Sequence, residues 1–104
     1  MKTFLAAPET FGASTENLNL SIICADDIYY NLEALRLVFK NLGLLDYCHF
    51  VNDGKQVVDC CIKNVEESEE GAETVTIVIV DYEMPMMTGL EAIKEIQAFY
   101  SLVN

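Results

Sequence analysis

Three short apolar runs recur along the chain: LSIICA (Leu20–Ala25), YCHFV (Tyr47–Val51) and VTIVIV (Val75–Val80). Runs of this length, rich in β-branched and aromatic residues, predict strands buried in a sheet. Between and after them the apolar positions change to a helical period. Ile28, Leu32, Leu35, Phe39 and Leu42 are separated by 4, 3, 4 and 3 residues, and Gly43 follows as a stop signal. Val57, Val58, Cys61 and Ile62 predict a second helix packed on a sheet. Leu90, Ile93, Ile96 and Tyr100 predict a third. Its start is marked by Thr88-Gly-Leu-Glu91, the pattern of a capping box. Residues 1–19 lack a period and read as a tail or linker, and residues 20–104 as one domain. Glu66–Glu73, with five acids in eight residues, reads as a solvated connector.

The order βαβαβα calls for a parallel sheet with helices on its faces and right-handed crossovers. If the chain moves outward from the first strand to the second and then back past the first to the third, the spatial order is 2-1-3. The first and third strands then diverge at a switch point, outside whose carboxyl ends ligands bind. Asp26 and Asp27 close the first strand and Asp81 closes the third, so this topology predicts that the three carboxylates converge there.

Charge narrows the partners. Seventeen acids against six bases give a net charge of −11 over 104 residues, which argues against a nucleic-acid backbone as partner. It favours a cation or a basic protein patch. The four cysteines, Cys24, Cys48, Cys60 and Cys61, form no C-x-x-C, and His49 is the single histidine, so the pattern is not that of a zinc site. Cys24 and Cys48 read as small buried hydrophobes, and adjacent Cys60 and Cys61 as half core and half surface. No stretch is long and apolar enough to span a bilayer, and the apolar stretch of MKTFLAAPET, broken by Pro8, reads as too short for a signal peptide. A cytoplasmic or nuclear protein is expected.

Three carboxylates crowded together repel, each pair costing about 4 kcal/mol at ~4 Å and an effective dielectric near 20. A cation among them relieves this. Oxygen donors without histidine or cysteine select Mg²⁺ or a similar hard ion. Asp81 is thereby placed where a metal and a phosphoryl group can meet a nucleophilic carboxylate.

The stretches ADDIYYNLEALRLVFKNLG, VNDGKQVVD and VIVDYEMPMMTGLEAIKEI resemble the receiver domain of response regulators and hybrid histidine kinases. The resemblance covers roughly residues 20–103. It implies a flavodoxin-like, doubly wound parallel sheet. It also implies Asp81 as phosphoacceptor, with Mg²⁺ held by Asp27 directly, by Asp26 through water, by Asp81 and by the backbone carbonyl of Glu83. Met84, Pro85 and Gly89 match the active-site loop signature D-x-x-M-P-x-M-x-G, with Thr88 at a position often acidic in the family. Asn31 and Gly43 fit the first helix of hybrid-kinase receivers. The implied donor is phosphohistidine on a histidine kinase or histidine phosphotransfer protein.

One departure is large. Three βα units reach residue 104, whereas the family continues to a fourth strand followed by Ser or Thr and a fifth followed by Lys. No residue here takes either role, and Lys94 falls within the third helix as a surface residue. The domain is expected to be incomplete after the third βα unit, with the apolar edge Val75–Val80 open to self-association or to a complementing strand. Two other readings compete. An aspartate-nucleophile phosphohydrolase would show D-x-D, whereas Asp81-Tyr-Glu83 stands here. A non-catalytic interaction fragment would work through the unfinished sheet.

Overall fold

The computed structural model describes residues 2–6, 18–68 and 73–103. Strand β1 is Lys2–Ala6, β2 Leu18–Ala25, β3 Cys48–Val51 and β4 Glu73–Asp81. Helix α1 is Tyr29–Asn41, α2 Gly54–Glu67 and α3 Gly89–Val103, and a 3-10 turn at Leu45–Tyr47 precedes β3. β2, β3 and β4 are mutually parallel with β2 central, so the three strands expected from the sequence lie in the order 2-1-3. The register sets Ile22 opposite both Cys48 and Ile77, and Ala25 opposite both Val51 and Val80.

The tail expected at the amino terminus is corrected by β1. Lys2–Ala6 pairs antiparallel with β4, from Lys2 opposite Asp81 to Ala6 opposite Ile77, and gives a four-stranded sheet ordered β1-β4-β2-β3. The edge expected to be open at Val75–Val80 therefore carries a strand from the same chain along Ile77–Asp81. The physical reason is the cost of unpaired backbone amides beside an apolar strand. Residues 7–17 of the expected tail lie outside the described residues, as do 69–72 of the acidic connector, and residues 18 and 19 belong to β2. Glu66 and Glu67 of that connector belong to the last turn of α2.

The core lies on one face of the sheet. Ile23 and Ala25 of β2 and Val78 and Val80 of β4 meet Val57, Val58 and Cys61 of α2 and Ala92, Ile93 and Ile96 of α3. On the other face Ile22 and Cys24 are buried, but Ile77 and Ile79 remain half exposed. The lack of alternation in VTIVIV predicts that β4 is buried on both faces. Its alternating burial shows that α1 covers its own side only in part. Of the apolar stripe on α1, Leu32, Leu35 and Phe39 are half-buried, whereas Ile28 and Leu42 are exposed. Gly43, at φ +73°, ends α1 as its position predicted.

Candidate functional site

Each acid of the site is set by a strand end. β2 runs to Ala25, and the Asp26 amide still donates to the Val51 carbonyl of β3 at 3.2 Å. That bond carries the sheet one residue further and buries Asp26 completely. Its Oδ1 accepts from the Ile28 amide at 3.0 Å and shapes the turn into α1. Asp27, the next residue, is exposed. Asp81 is the last residue of β4 and is half-buried, and its Oδ1 accepts from the Tyr82 amide at 3.1 Å. Carboxylate oxygens of Asp26, Asp27 and Asp81 all lie within 4.8 Å of one another. The three acids singled out from the sequence thus converge at the carboxyl ends of two adjacent parallel strands.

The loop after Asp81 is built to hold that end in place. The Gly89 amide, at the first residue of α3, donates to the Tyr82 carbonyl at 2.8 Å. The expected capping box is present in both directions. The Glu91 amide donates to Thr88 Oγ1 at 3.2 Å, and the Thr88 amide donates to Glu91 Oε1 at 3.3 Å. The Met87 amide donates to the Pro85 carbonyl at 2.7 Å around Met86, whose φ is +71°. A bond to the residue two back across a positive φ is a γ-turn of the strained kind. Met84 is buried beneath the loop and Met87 packs partly against the core, whereas Met86 is 85% exposed. Glu83 and Pro85 lie in the exposed part of the loop. On the opposite side Gly54, at the start of α2, abuts Met87, so the loop is wedged between two helix starts.

The donor set suits a hard divalent ion. An octahedral Mg²⁺ with bonds near ~2.1 Å spans about 4.2 Å between opposite ligands. The outer limit of the carboxylate spread is a little wider than that. Some of these acids would hold the ion directly and others through water.

Lys2 was not picked out from the sequence. The register sets it opposite Asp81. The only signal was the short apolar stretch Phe4-Leu5-Ala6 behind it, too brief to show a period. Elsewhere Arg36 is engaged by Glu33 at 3.2 Å and lies over the Phe50 ring at 4.2 Å, and Lys63 faces Glu67 at 3.9 Å. Lys94 is exposed on α3, as expected.

The cysteines are free thiols, and Cys24 and Cys61 are buried. Burial pushes the Cys61 thiol up to about 12, reinforced by its neighbour Cys60 and opposed by a hydrogen bond with Tyr100. Burial and then Asp59 raise Cys60 as well. Thiols held protonated in this way are poor nucleophiles.

No family model, no curated protein and no solved structure matches the chain. Among the described residues no helix is long and apolar enough to cross a membrane.

Proposed function

We propose that this chain is a phosphoacceptor module of the receiver type, built on a flavodoxin-like arrangement, in which Asp81 takes a phosphoryl group from a phosphohistidine. The observation that carries this reading is the meeting of Asp26, Asp27 and Asp81 within 4.8 Å at the ends of adjacent parallel strands. In the reaction an Asp81 carboxylate oxygen attacks phosphorus in line with the phosphorus–nitrogen bond. That bond breaks, its electron pair returns to the imidazole, and an acyl phosphate remains on Asp81.

Asp26, Asp27 and Asp81, with the Glu83 carbonyl, would hold Mg²⁺. When bound, the ion supplies positive charge that lets a phosphoryl group approach the carboxylates. The chain's own contribution is positional. Burial and two backbone hydrogen bonds fix Asp26, while the Gly89–Tyr82 bond and the capping box fix the segment that follows Asp81. Exposed Tyr29, Tyr30, Tyr82 and Met86 stand close in sequence to these acids and offer apolar contact to a protein donor such as a histidine kinase or histidine phosphotransfer protein.

The test is incubation with a small-molecule phosphoramidate donor and Mg²⁺. The expected product is at most one hydroxylamine-sensitive phosphoryl group per chain, absent in Asp81→Asn. Continuous turnover of a phosphate ester would indicate the phosphohydrolase instead, and no labelling at all would indicate the interaction fragment.

A further inference from the structure

Cys24 and Cys48 stand on the face of the sheet that α1 covers. The register sets Cys48 of β3 opposite Ile22 of β2, so Cys24 is the next residue of β2 on that face. Arg36 of α1, over the Phe50 ring, marks the same face of β3. The two thiols are hydrogen-bonded to each other. Cys48 Sγ donates to the Leu44 carbonyl at 3.4 Å, so in the bond between the thiols it accepts from Cys24. The two sulfurs are thereby turned toward one another across the gap between β2 and β3. Cys24 is fully buried and Cys48 only half-buried, and no residue of α1 above them is buried. Cover over the pair is thin on the Cys48 side.

A disulfide does not fit this arrangement. Strands about 4.8 Å apart, an offset of two residues and a rise of ~3.3 Å per residue put the Cα atoms about 8 Å apart. A disulfide spans at most ~7 Å without backbone movement. Burial raises the Cys48 thiol, which also makes the free pair a poor nucleophile. A metal ion held between the sulfurs fits better. Thiolate bonds of about 2.3 Å on opposite sides of an ion ask for sulfurs ~4.6 Å apart. Zinc would need four ligands. The single histidine, His49, stands opposite Ile23 and so on the α2–α3 face of the sheet, away from the thiols. Ions content with two sulfur ligands in line are soft and monovalent, with copper(I) the leading case.

We propose that Cys24 and Cys48 form a binding site for a soft monovalent metal ion, copper(I) foremost, clasped between β2 and β3 beneath α1. The two thiol protons leave to solvent as the sulfur–metal bonds form. Two thiolates and a monovalent ion carry a net charge of −1, and the Arg36 guanidinium, whose field reaches Cys48, offsets it. The site shares no donor with the three carboxylates and does not depend on the phosphoacceptor reading. Cys60 and Cys61 offer no second site of this kind, because neighbouring residues on a helix point in different directions.

The probe is copper(I) itself, offered without oxygen from a coloured chelator complex that fades as the metal leaves. The wild type and Cys60→Ser are expected to withdraw one ion per chain. Cys24→Ala and Cys48→Ala should each bind it more than about a hundredfold more weakly, since losing even a ligand's hydrogen-bonding partner can cost that much. Cys48→Ser keeps the size of the side chain and guards against loss through misfolding. It should melt with the wild type in the absence of copper, and copper should raise the melting temperature of the wild type alone of these two. Zn²⁺ should not be held by the pair. A wild type that leaves the chelator complex intact, copper retained by Cys48→Ala or Cys48→Ser, or an equal loss in Cys60→Ser would each overturn the proposal. Zn²⁺ bound as tightly through the same two cysteines would overturn the assignment to a soft, two-coordinate ion.

Discussion

Gly89 lies directly against the backbone of Asp81. A Cβ placed on Gly89 would collide with the Asp81 carbonyl oxygen and come within 3.2 Å of the Tyr82 Cα. The first residue of α3 thus rests on the end of β4, whose register with β2 sets Asp81 beside Asp26. Gly89→Ala should therefore move the acceptor as well as destabilise the fold. The obstacle is backbone, not a yielding side chain, so a loss of about 2–4 kcal/mol is expected. Denaturant unfolding measures it. A change within ~0.5 kcal/mol would mean that α3 can withdraw from β4 without cost.

The γ-turn around Met86 holds a non-glycine residue at φ +71° with its side chain in solvent. Met86→Gly removes the Cβ clash and forfeits almost no packing. Relief of the left-handed strain exceeds the added freedom of glycine in the unfolded chain, so a net stabilisation of ~0.5–1 kcal/mol is expected. A loss of stability in equilibrium unfolding would show that the exposed Met86 side chain makes a contact worth more than the strain.

Legibility of the fold followed the range of the forces involved. Strands β2, β3 and β4 could be read because each is an unbroken apolar run, and all three helices because each is long enough to show its own period. Their parallel order then followed from handedness, and with it the meeting of Asp26, Asp27 and Asp81. The capping box was readable because Thr88 and Glu91 interact across three residues. β1 could not be read. Lys2–Ala6 becomes a strand only because the edge of β4, more than seventy residues later, needs a partner. The half exposure of α1 was hidden for a related reason. A 3.6-residue period shows which face a helix prefers to bury, but whether Ile28 and Leu42 find cover depends on what else packs there.

Crowding of carboxylates makes a prediction with opposite signs in two buffers. Asn at position 81 can keep an oxygen that accepts from the Tyr82 amide while losing the charge. In chelator, Asp81→Asn should raise stability by ~1–2 kcal/mol through relief of repulsion with Asp26 and Asp27. In millimolar Mg²⁺ the advantage should shrink or reverse, because the wild type gains binding energy that the variant lacks. Asp27→Asn should weaken Mg²⁺ binding more than Asp26→Asn. Thermal melts in the two buffers, followed by titration calorimetry, check both. Asp81→Asn melting lower than the wild type in chelator would count against a shared anionic site.

Cys61 sets an alkaline limit. Its thiol is raised from 9.0 to about 12 in the folded state, first by burial and then by Cys60. The unfolded chain releases this proton near pH 9, the folded chain only near pH 12. The stabilisation is therefore complete below pH 9 and is lost as pH rises from 9 towards 12, amounting to about 4 kcal/mol at most. Chemical unfolding of the wild type and Cys61→Ala at pH 8, 9.5 and 10.5 should show a smaller alkaline loss in the variant. Parallel losses would overturn the assignment to Cys61.

β1 has a testable task at the edge of β4. β4 is apolar from Val75 to Val80, and Ile77 and Ile79 are already half exposed on the α1 side. Lys2–Ala6 satisfies the backbone groups along that edge. In an antiparallel pair successive amides point to opposite sides, so of Phe4 and Leu5 one must direct its N–H at β4. Replacing both with proline removes that donor whichever it is, and the rings obstruct the pairing. The Phe4→Pro/Leu5→Pro variant should leave α2, α3 and the three parallel strands in place, because α2 and α3 pack directly on β2 and β4. The opened edge should then recruit another copy of the same edge. Light scattering after size exclusion is expected to give a mass that rises with concentration in the variant and stays constant in the wild type. Added dye that reports exposed apolar surface should bind the variant alone. A variant that remains monomeric at every concentration, with an unchanged melt, would show that β4 needs no cover. A wild type that associates as readily would show that five residues of antiparallel pairing are too weak a guard for this edge.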